Sequence, residues 1–322
     1  MGRRPCWLVR VSEEKKLKIL NSILGEHFSS SDEHLFRCPS CGHHKRKLSI
    51  NLEKNVFKCW VCDWSGKNIY RIIRRYGSRA EKYEWQSFEK DIEIEKFADK
   101  LFAPKEIKKH DKINLPNEFI SLANAKLPTT SIYPLNYLKS RGIDKKDIIK
   151  WKIGYCSSGT YESRVVIPSF DEQGDINYFV TRSYDGDWKK YMNPTASKNI
   201  VFNHPYVNFH EPVVLVEGVF DAIKAGDNSI PLLGSTLNER SLLFYEIVKH
   251  DTPVYLALDP DASKKTNRII KLLLSHNIET YLVSVAPYND VGEMTKDEFA
   301  SRLETSVLLN SNNYLLSRII GI

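Results

Sequence analysis

From Glu211 to Val285 the chain passes through four short apolar runs, PVVLV, SIPLL, PVYLAL and TYLVSV. Stretches of helical periodicity near Phe220–Ala225, Glu239–Lys249 and Ser263–His276 separate them. A strand apolar on every residue has no face to give to water, so it must be covered on both sides. Strands of that kind alternating with helices predict a parallel sheet with helices packed on its faces.

Ligands of such sheets gather beyond the carboxyl ends of the strands, and this chain places acids there. PVVLV runs into Glu217, with Gly218 as the turn and Asp221 one turn into the next helix. PVYLAL runs into Asp259 and Asp261, and TYLVSV is followed by Asp290 and Glu293. Carboxylates so close repel one another, so either a divalent cation offsets them or some are protonated. An all-oxygen set favours Mg²⁺ or Mn²⁺ over zinc. A single acid among them could be only a helix cap; acids from three strands are harder to explain that way.

A second chemistry lies upstream. FRCPSCGHHKRKLSINLEKNVFKCWVCDWSGK carries C-x2-C-x17-C-x2-C through Cys38, Cys41, Cys59 and Cys62. Each pair sets two thiolates on one tight knuckle, and two knuckles complete a tetrahedral four-sulfur shell suited to one structural Zn²⁺. Two disulfides or a redox dithiol are the competing readings, and the chain shows no secretory signal that would favour them. KLSINL and NVFKCW read as strands around the turn EKN, which makes the segment a zinc ribbon. His43 and His44 are spare beside four cysteines and join Lys45, Arg46 and Lys47 in a basic finger. Phe57, Trp60 and Trp64 are interleaved with the basic residues, a pattern that suits stacking of unpaired bases over a phosphate-binding surface, or alternatively fills a small core. Cys6 and Cys156 stand alone and read as inert thiols.

Charge sharpens the division. From Phe36 to Arg79 there are eleven Lys/Arg against two acids, so the rest of the 322 residues carries about −2 of the net +7. A small segment meeting a polyanion accounts for this asymmetry, or alternatively a merely solvated basic face. No apolar run approaches the roughly 20 residues of a membrane span. The amino-terminal MGRRPCWLVRVSEEKK has too short an apolar stretch for a signal peptide, so a cytoplasmic protein is expected. The expected domains are 1–77, an amino-terminal helix with the zinc ribbon; 78–115, a charged linker; 116–210, an α+β subdomain; 211–300, the α/β domain; and 301–322, a carboxyl-terminal helix. The fold class is thus multi-domain α+β with a central parallel sheet in the α/β part.

LVEGVFDA followed by ALDPDAS resembles the E-G-x-x-D and D-x-D motifs of the Toprim domain, and LLGSTL resembles its L-G-S/T stretch. The zinc segment with its trailing SGK resembles the primase zinc-binding domain. YLKSRGI…KIGY and RVVIPSFDEQGDINYFVTRSY…KKYMNP are similar to the basic polymerase subdomain that precedes Toprim in primases. In this order, over residues 36–77 and 134–300, the combination is that of DnaG-type DNA primases. Toprim nucleases, topoisomerase-like enzymes and a non-catalytic zinc-ribbon DNA-binding protein are the alternatives.

The resemblance implies synthesis of short RNA primers from NTPs on a single-stranded DNA template. Glu217, Asp259 and Asp261 would be catalytic, and Asp221, Asp290 and Glu293 would complete the metal shell. Arg164, Arg182, Lys190, Tyr191 and Asn193 would hold triphosphate or template, with Lys45, Arg46, Lys47 and Trp60 on the ribbon. A replicative hexameric helicase and a single-strand-binding protein would be partners. The chain stops soon after the Toprim stretch, as expected of a stand-alone, phage-type member working in host cytoplasm. Two departures stand out: Cys41 replaces the family's usual His, and Lys264 stands near the glycine that usually follows D-x-D.

Overall fold

The computed structural model describes residues 6–30, 32–89 and 113–309. The chain divides into two compact units, Met1–Phe97 and Ala98–Ile322. Among the described residues no helix is long and apolar enough to cross a membrane.

The first unit opens with helix α1 (Cys6–Leu24). Strands β1 (Phe28–Ser30), β2 (Glu33–Phe36), β3 (Leu48–Asn51), β4 (Val56–Cys59) and β5 (Ser65–Gly66) follow and form an antiparallel ribbon in chain order. The β3–β4 turn is tight because the Asn51 side-chain oxygen accepts from the Lys54 amide at 2.8 Å and Asn55 takes a left-handed φ of 53°. Helices α2 (Tyr70–Tyr76) and α3 (Arg79–Glu89) close the unit. Its core is Leu20, Phe36, Leu48, Ile50, Phe57, Ile72, Ile73 and Trp85, all buried.

Trp85 corrects the expected linker, which therefore cannot begin at residue 78. It lies on α3 and is fully buried, with the Lys16 ammonium 5.3 Å from its ring. The Lys/Glu-rich composition around it conceals a buried anchor; residues 90–112 of that expected linker lie outside the described residues. Trp85→Ala is expected to destabilise the first unit by about 3–5 kcal/mol. Zinc release to a chelator along a denaturant titration measures this, and a loss below about 1 kcal/mol would make α3 peripheral.

The second unit joins two sheets. Strand β6 (Phe119–Ser121), helices α4 (Ile132–Ser140) and α5 (Lys145–Lys150), and strands β7 (Gly154–Cys156), β8 (Arg164–Phe170) and β9 (Ile176–Ser183) come first. The four strands form an antiparallel sheet in the order β6-β7-β8-β9. Strand alternation splits its side chains between two cores. Val165, Ile167, Tyr178 and Val180 face the large core shared with the second sheet, whereas Val166, Phe179 and the free, buried Cys156 form a smaller one.

The chain continues as β10 (Val213–Val216), α6 (Val219–Ala225), β11 (Ser229–Pro231), α7 (Leu242–Lys249), β12 (Val254–Leu256), α8 (Ser263–Ser275), β13 (Thr280–Leu282), α9 (Lys296–Glu304) and β14 (Val307–Leu309). The sheet order is β11-β10-β12-β13-β14. Its first four strands are parallel, and β14 pairs antiparallel to β13. Every residue of β10 is buried, between the large core on one face and a second cluster with Ile230, Phe244, Ile247, Ile270 and Leu273 on the other. The expected terminal helix over 301–322 is corrected: the helix ends at Glu304, and Val307–Leu309 adds an edge strand because β13 offers a free ladder edge there. Residues 310–322 lie outside the described residues.

Candidate functional site

Strand β10 connects to β11 on one side and β12 lies on its other side, so the winding reverses between β10 and β12. A crevice opens beyond the carboxyl ends of the strands at such a point. Glu217 follows β10 directly, and Asp259 stands three residues after β12, heading a short 3₁₀ turn at Pro260–Ala262 that contains Asp261. Oε1 of Glu217 and Oδ1 of Asp259 are both buried with no hydrogen-bond partner. Buried acceptors left unpaired cost free energy unless something positive meets them.

Asp221 is tied more firmly. Its carboxylate accepts from the Gly218 amide at 2.9 Å and the Gly292 amide at 3.0 Å, which staples the turn after β10 to the loop after β13. A Cβ on Gly292 would lie 3.0 Å from Asp221 Oδ1 and 3.1 Å from Asp290 Oδ1, so a side chain there would crowd both acids. Asp290 caps its own turn by accepting from the Glu293 amide at 3.0 Å.

The charges register on one another. Burial, then the charges of Asp221, Glu217, Asp290 and Asp261, pushes the Asp259 carboxyl up to about 7. Burial and the Asp290 charge push Asp221 up to about 6. Five of the six acids read from the sequence thus share one edge. Glu293, in the same turn as Asp290, commits its carboxylate to the Asn289 amide and side chain at 2.9–3.2 Å, which holds it below the usual carboxylate range. Among the described residues no three of these carboxylates bring ligand atoms within 4.8 Å of one another, so the edge is a loose cluster.

Two basic residues at this edge were missed in the sequence. Lys265 donates to Glu217 Oε2 at 2.6 Å, whereas Lys264, noted for its place after D-x-D, is exposed. The helical spacing from Ser263 was the available signal, since Lys265 and not Lys264 faces back toward the sheet. Arg141, just past α4, has its guanidinium within 3.5 Å of the Gly292 Cβ position and 5.4 Å from the Phe220 ring centroid. Its electrostatic effect reaches Asp221.

The residues read as triphosphate or template contacts separate into distinct settings. Arg182 sits on the face of β9 shared by Tyr178 and Val180, with its guanidinium 4.6 Å from the Tyr191 ring. The Tyr191 phenol is pushed up by burial, with the Asp221 charge adding to the effect. Asn193 accepts from the Thr181 amide at 2.9 Å and so pins the segment carrying Tyr191 along β9. Arg164 is 3% exposed, paired with Asp187 and bonded to the Lys190 carbonyl at 3.4 Å. It organises the 185–190 loop, and the Lys190 side chain is exposed. An open cleft of about 630 Å³ lies alongside, lined by Tyr133, Tyr137, Ser163 and Tyr184 among others.

In the first unit, Cys38, Cys41, Cys59 and Cys62 bring all four Sγ atoms within 4.8 Å of one another, at 3.8 Å for Cys38–Cys62 and 4.0 Å for Cys41–Cys59. The edge of a zinc–thiolate tetrahedron is about 3.8 Å, so the cluster fits one structural zinc. The two knuckles are built alike: Gly42 after Cys41 has φ 63° and Asp63 after Cys62 has φ 56°. The disulfide reading fails, since all four are free thiols. Phe57 is core and Trp64 packs against it at 4.7 Å. Trp60 alone of the three is open, 66% exposed with the Lys58 ammonium 4.8 Å from its ring. Lys45, Arg46 and Lys47 are exposed nearby in the chain.

No family model matches the chain. It is 26% identical over 333 residues to the DNA primase of Aquifex aeolicus, across 88% of this chain and 64% of that protein. It is 22% identical over 339 residues to the DNA primase of Mycoplasma genitalium, across 85% of this chain and 55% of that protein. The chain therefore spans less than two thirds of the length of these curated relatives. Among solved structures, the zinc-binding and RNA polymerase domains of the Aquifex aeolicus primase superpose with a TM-score of 0.49 at 19% identity, covering 92% of this chain and 86% of that one. By sequence, this chain is similar to bacterial DNA primases across most of its own length.

Proposed function

We propose that the chain is a DNA primase that makes short RNA from NTPs on single-stranded DNA. The observation that carries this reading is the pair of buried, unpartnered carboxylate oxygens of Glu217 and Asp259 at the switch point of the parallel sheet. The relationship to bacterial DNA primases supports it. Glu217, Asp259 and Asp261 would hold Mg²⁺ or Mn²⁺, with Asp290 beside them; the ion would neutralise the triphosphate and stabilise the attacking and leaving oxygens. Glu217 would accept the proton of the attacking 3′-hydroxyl. Asp221 would act by positioning, since both its oxygens hold backbone amides. Arg141 and Arg182 would meet triphosphate oxygens, and Tyr191 would stack on a base or ribose. Trp60 and the Lys45–Lys47 run would engage template, the exposed ring offering a base a stacking surface. A replicative helicase and a single-strand-binding protein are the expected partners.

The experiment is incubation with labelled NTPs, a single-stranded template and Mg²⁺ or Mn²⁺, with products sized on a gel. Short RNA products are expected. Template cleavage without NTP incorporation would replace this reading with a Toprim nuclease.

Lys265 allows a separate prediction. Its ammonium occupies Glu217 Oε2, so its charge opposes a divalent ion on the neighbouring, unpartnered Oε1. Lys265→Met removes an ion pair worth about 1 kcal/mol, so Mg²⁺ should bind roughly fivefold tighter. Unchanged or weaker Mg²⁺ binding by calorimetry would show that Lys265 does not compete.

A further inference from the structure

Apart from the four cysteines, one group of metal-ligating side chains converges among the described residues: Glu172, His204 and Glu246, with ligand atoms all within 4.8 Å of one another. They come from three separate segments. Glu172 lies in the β8–β9 turn, His204 opens a 3₁₀ turn at His204–Tyr206, and Glu246 lies in α7. The place is remote from the acidic edge. The 204–209 segment leads into the start of β10, and the end of α7 leads into the start of β12, so the group sits at the amino ends of the parallel strands.

The spacing of Glu172 and His204 fits two ligands of one ion, and His250 pairs with Glu246 from behind. His204 Nε2 lies 3.4 Å from Glu172 Oε1, and His250 Nε2 lies 3.4 Å from Glu246 Oε2. Direct charge-assisted bonds of this type close to about 2.7–2.9 Å. Ligands on a tetrahedral zinc with 2.0–2.1 Å bonds stand about 3.3 Å apart. Glu246 is 6% exposed, and a buried carboxylate needs positive charge beside it. Burial alone would raise its pKa, yet hydrogen bonding from His250 and the charges of Lys249 and the two histidines hold it below the usual range.

The surroundings match what a bound ion requires. Phe209 stacks on His250 with ring centroids 5.9 Å apart and meets His204 edge-on at 5.8 Å, which orients both imidazoles and gives the group an apolar wall. The Asn203 amide is anchored on Ser169 Oγ at 2.9 Å, fixing the start of the His204 turn to β8. Outer residues of this kind hold ligands in place at metal centres.

We propose that Glu172, His204 and Glu246 form a second metal site, for zinc or a similar borderline first-row ion, with His250 positioning Glu246. The imidazole suits Zn²⁺ and disfavours Mg²⁺ and Ca²⁺. The bound ion clamps the β8–β9 turn to α7 and thereby the antiparallel sheet to the parallel one. This does not depend on the priming reading.

The test uses the intact chain, stripped by chelator, with the thiol site refilled by one equivalent of Zn²⁺. Further Zn²⁺ is titrated by calorimetry in excess Mg²⁺, which competes at the acidic edge and not at an imidazole. A second equivalent per chain is expected, weakened at least tenfold in Glu172→Ala and lost in His204→Ala, while the thiol-bound zinc remains. Glu172 is an exposed turn residue, so its removal reports on binding without threatening the fold. Co²⁺ in this second site should add absorption free of thiolate charge-transfer bands. One zinc per chain in the unaltered protein, or a second that binds equally in both variants, would overturn the proposal and leave a hydrogen-bonded ion-pair network.

Discussion

Asp259→Ala should reduce primer synthesis by three orders of magnitude or more, in line with losing a group on which charge stabilisation at the reacting phosphate depends. Asp259→Asn should do the same to synthesis while making the metal-free protein more stable. The sign follows from the carboxyl's displacement from an ordinary 3.8 to about 7. A carboxyl with a raised folded value is ionised more readily when unfolded, so the folded state is penalised progressively from pH 4 to 7 and by the full amount above it. The neutral amide removes that penalty. The full displacement would correspond to about 4 kcal/mol, but Asp259 is only half-buried and solvent screens it, leaving about 1 kcal/mol. At pH 8 a rise in Tm of about 2–4 °C is expected for the metal-free variant. Adding Mg²⁺ should raise the Tm of the unaltered protein and barely move that of the variant. The same displacement predicts that Mg²⁺ affinity climbs as pH rises through 7. A variant that primes normally would remove Asp259 from the centre; one that loses activity and also melts lower would point to a structural role.

Cys59→Ser should release the zinc and unfold the ribbon. Cys59 is fully buried against the ribbon core and carries one of the four sulfurs, so its loss empties the shell and opens the packing together. Structural zinc supplies folding free energy on the order of 10 kcal/mol in small domains, more than this core can replace. Initiation on an unprimed template should fall by about 100-fold or more, whereas extension of a preannealed RNA should persist, because the acidic edge lies wholly in the other unit. Equal loss of both steps would mean that the ribbon has no part in recognising the start site.

Much of this was legible before any fold was known, and the reasons are physical. The cysteine pairs were visible because a thiolate shell demands a fixed local spacing. The acids were visible because each follows the apolar run that carries it. What escaped depended on contacts between distant segments. Trp85 was hidden in a charged stretch because a single fully buried ring leaves little apolar pattern in a helix otherwise held by polar bonds. Arg164 read as a triphosphate or template contact, yet it is buried and paired with Asp187. Lys265 differs from Lys264 only by the 100° that separates neighbours on a helix, enough to turn one toward Glu217 and leave the other in solvent.

Local pattern therefore determined the zinc knuckles, the alternation of strands and helices, and which strand ends bear acids. Tertiary structure alone decided that β12 lies beside β10 with the chain reversing between them, since apolar runs carry no record of strand order. That order brings Glu217 and Asp259 to one crevice from positions 42 residues apart in the chain. It likewise gathers Glu172, His204 and Glu246 at the other end of the sheet, where no spacing in the sequence announced them.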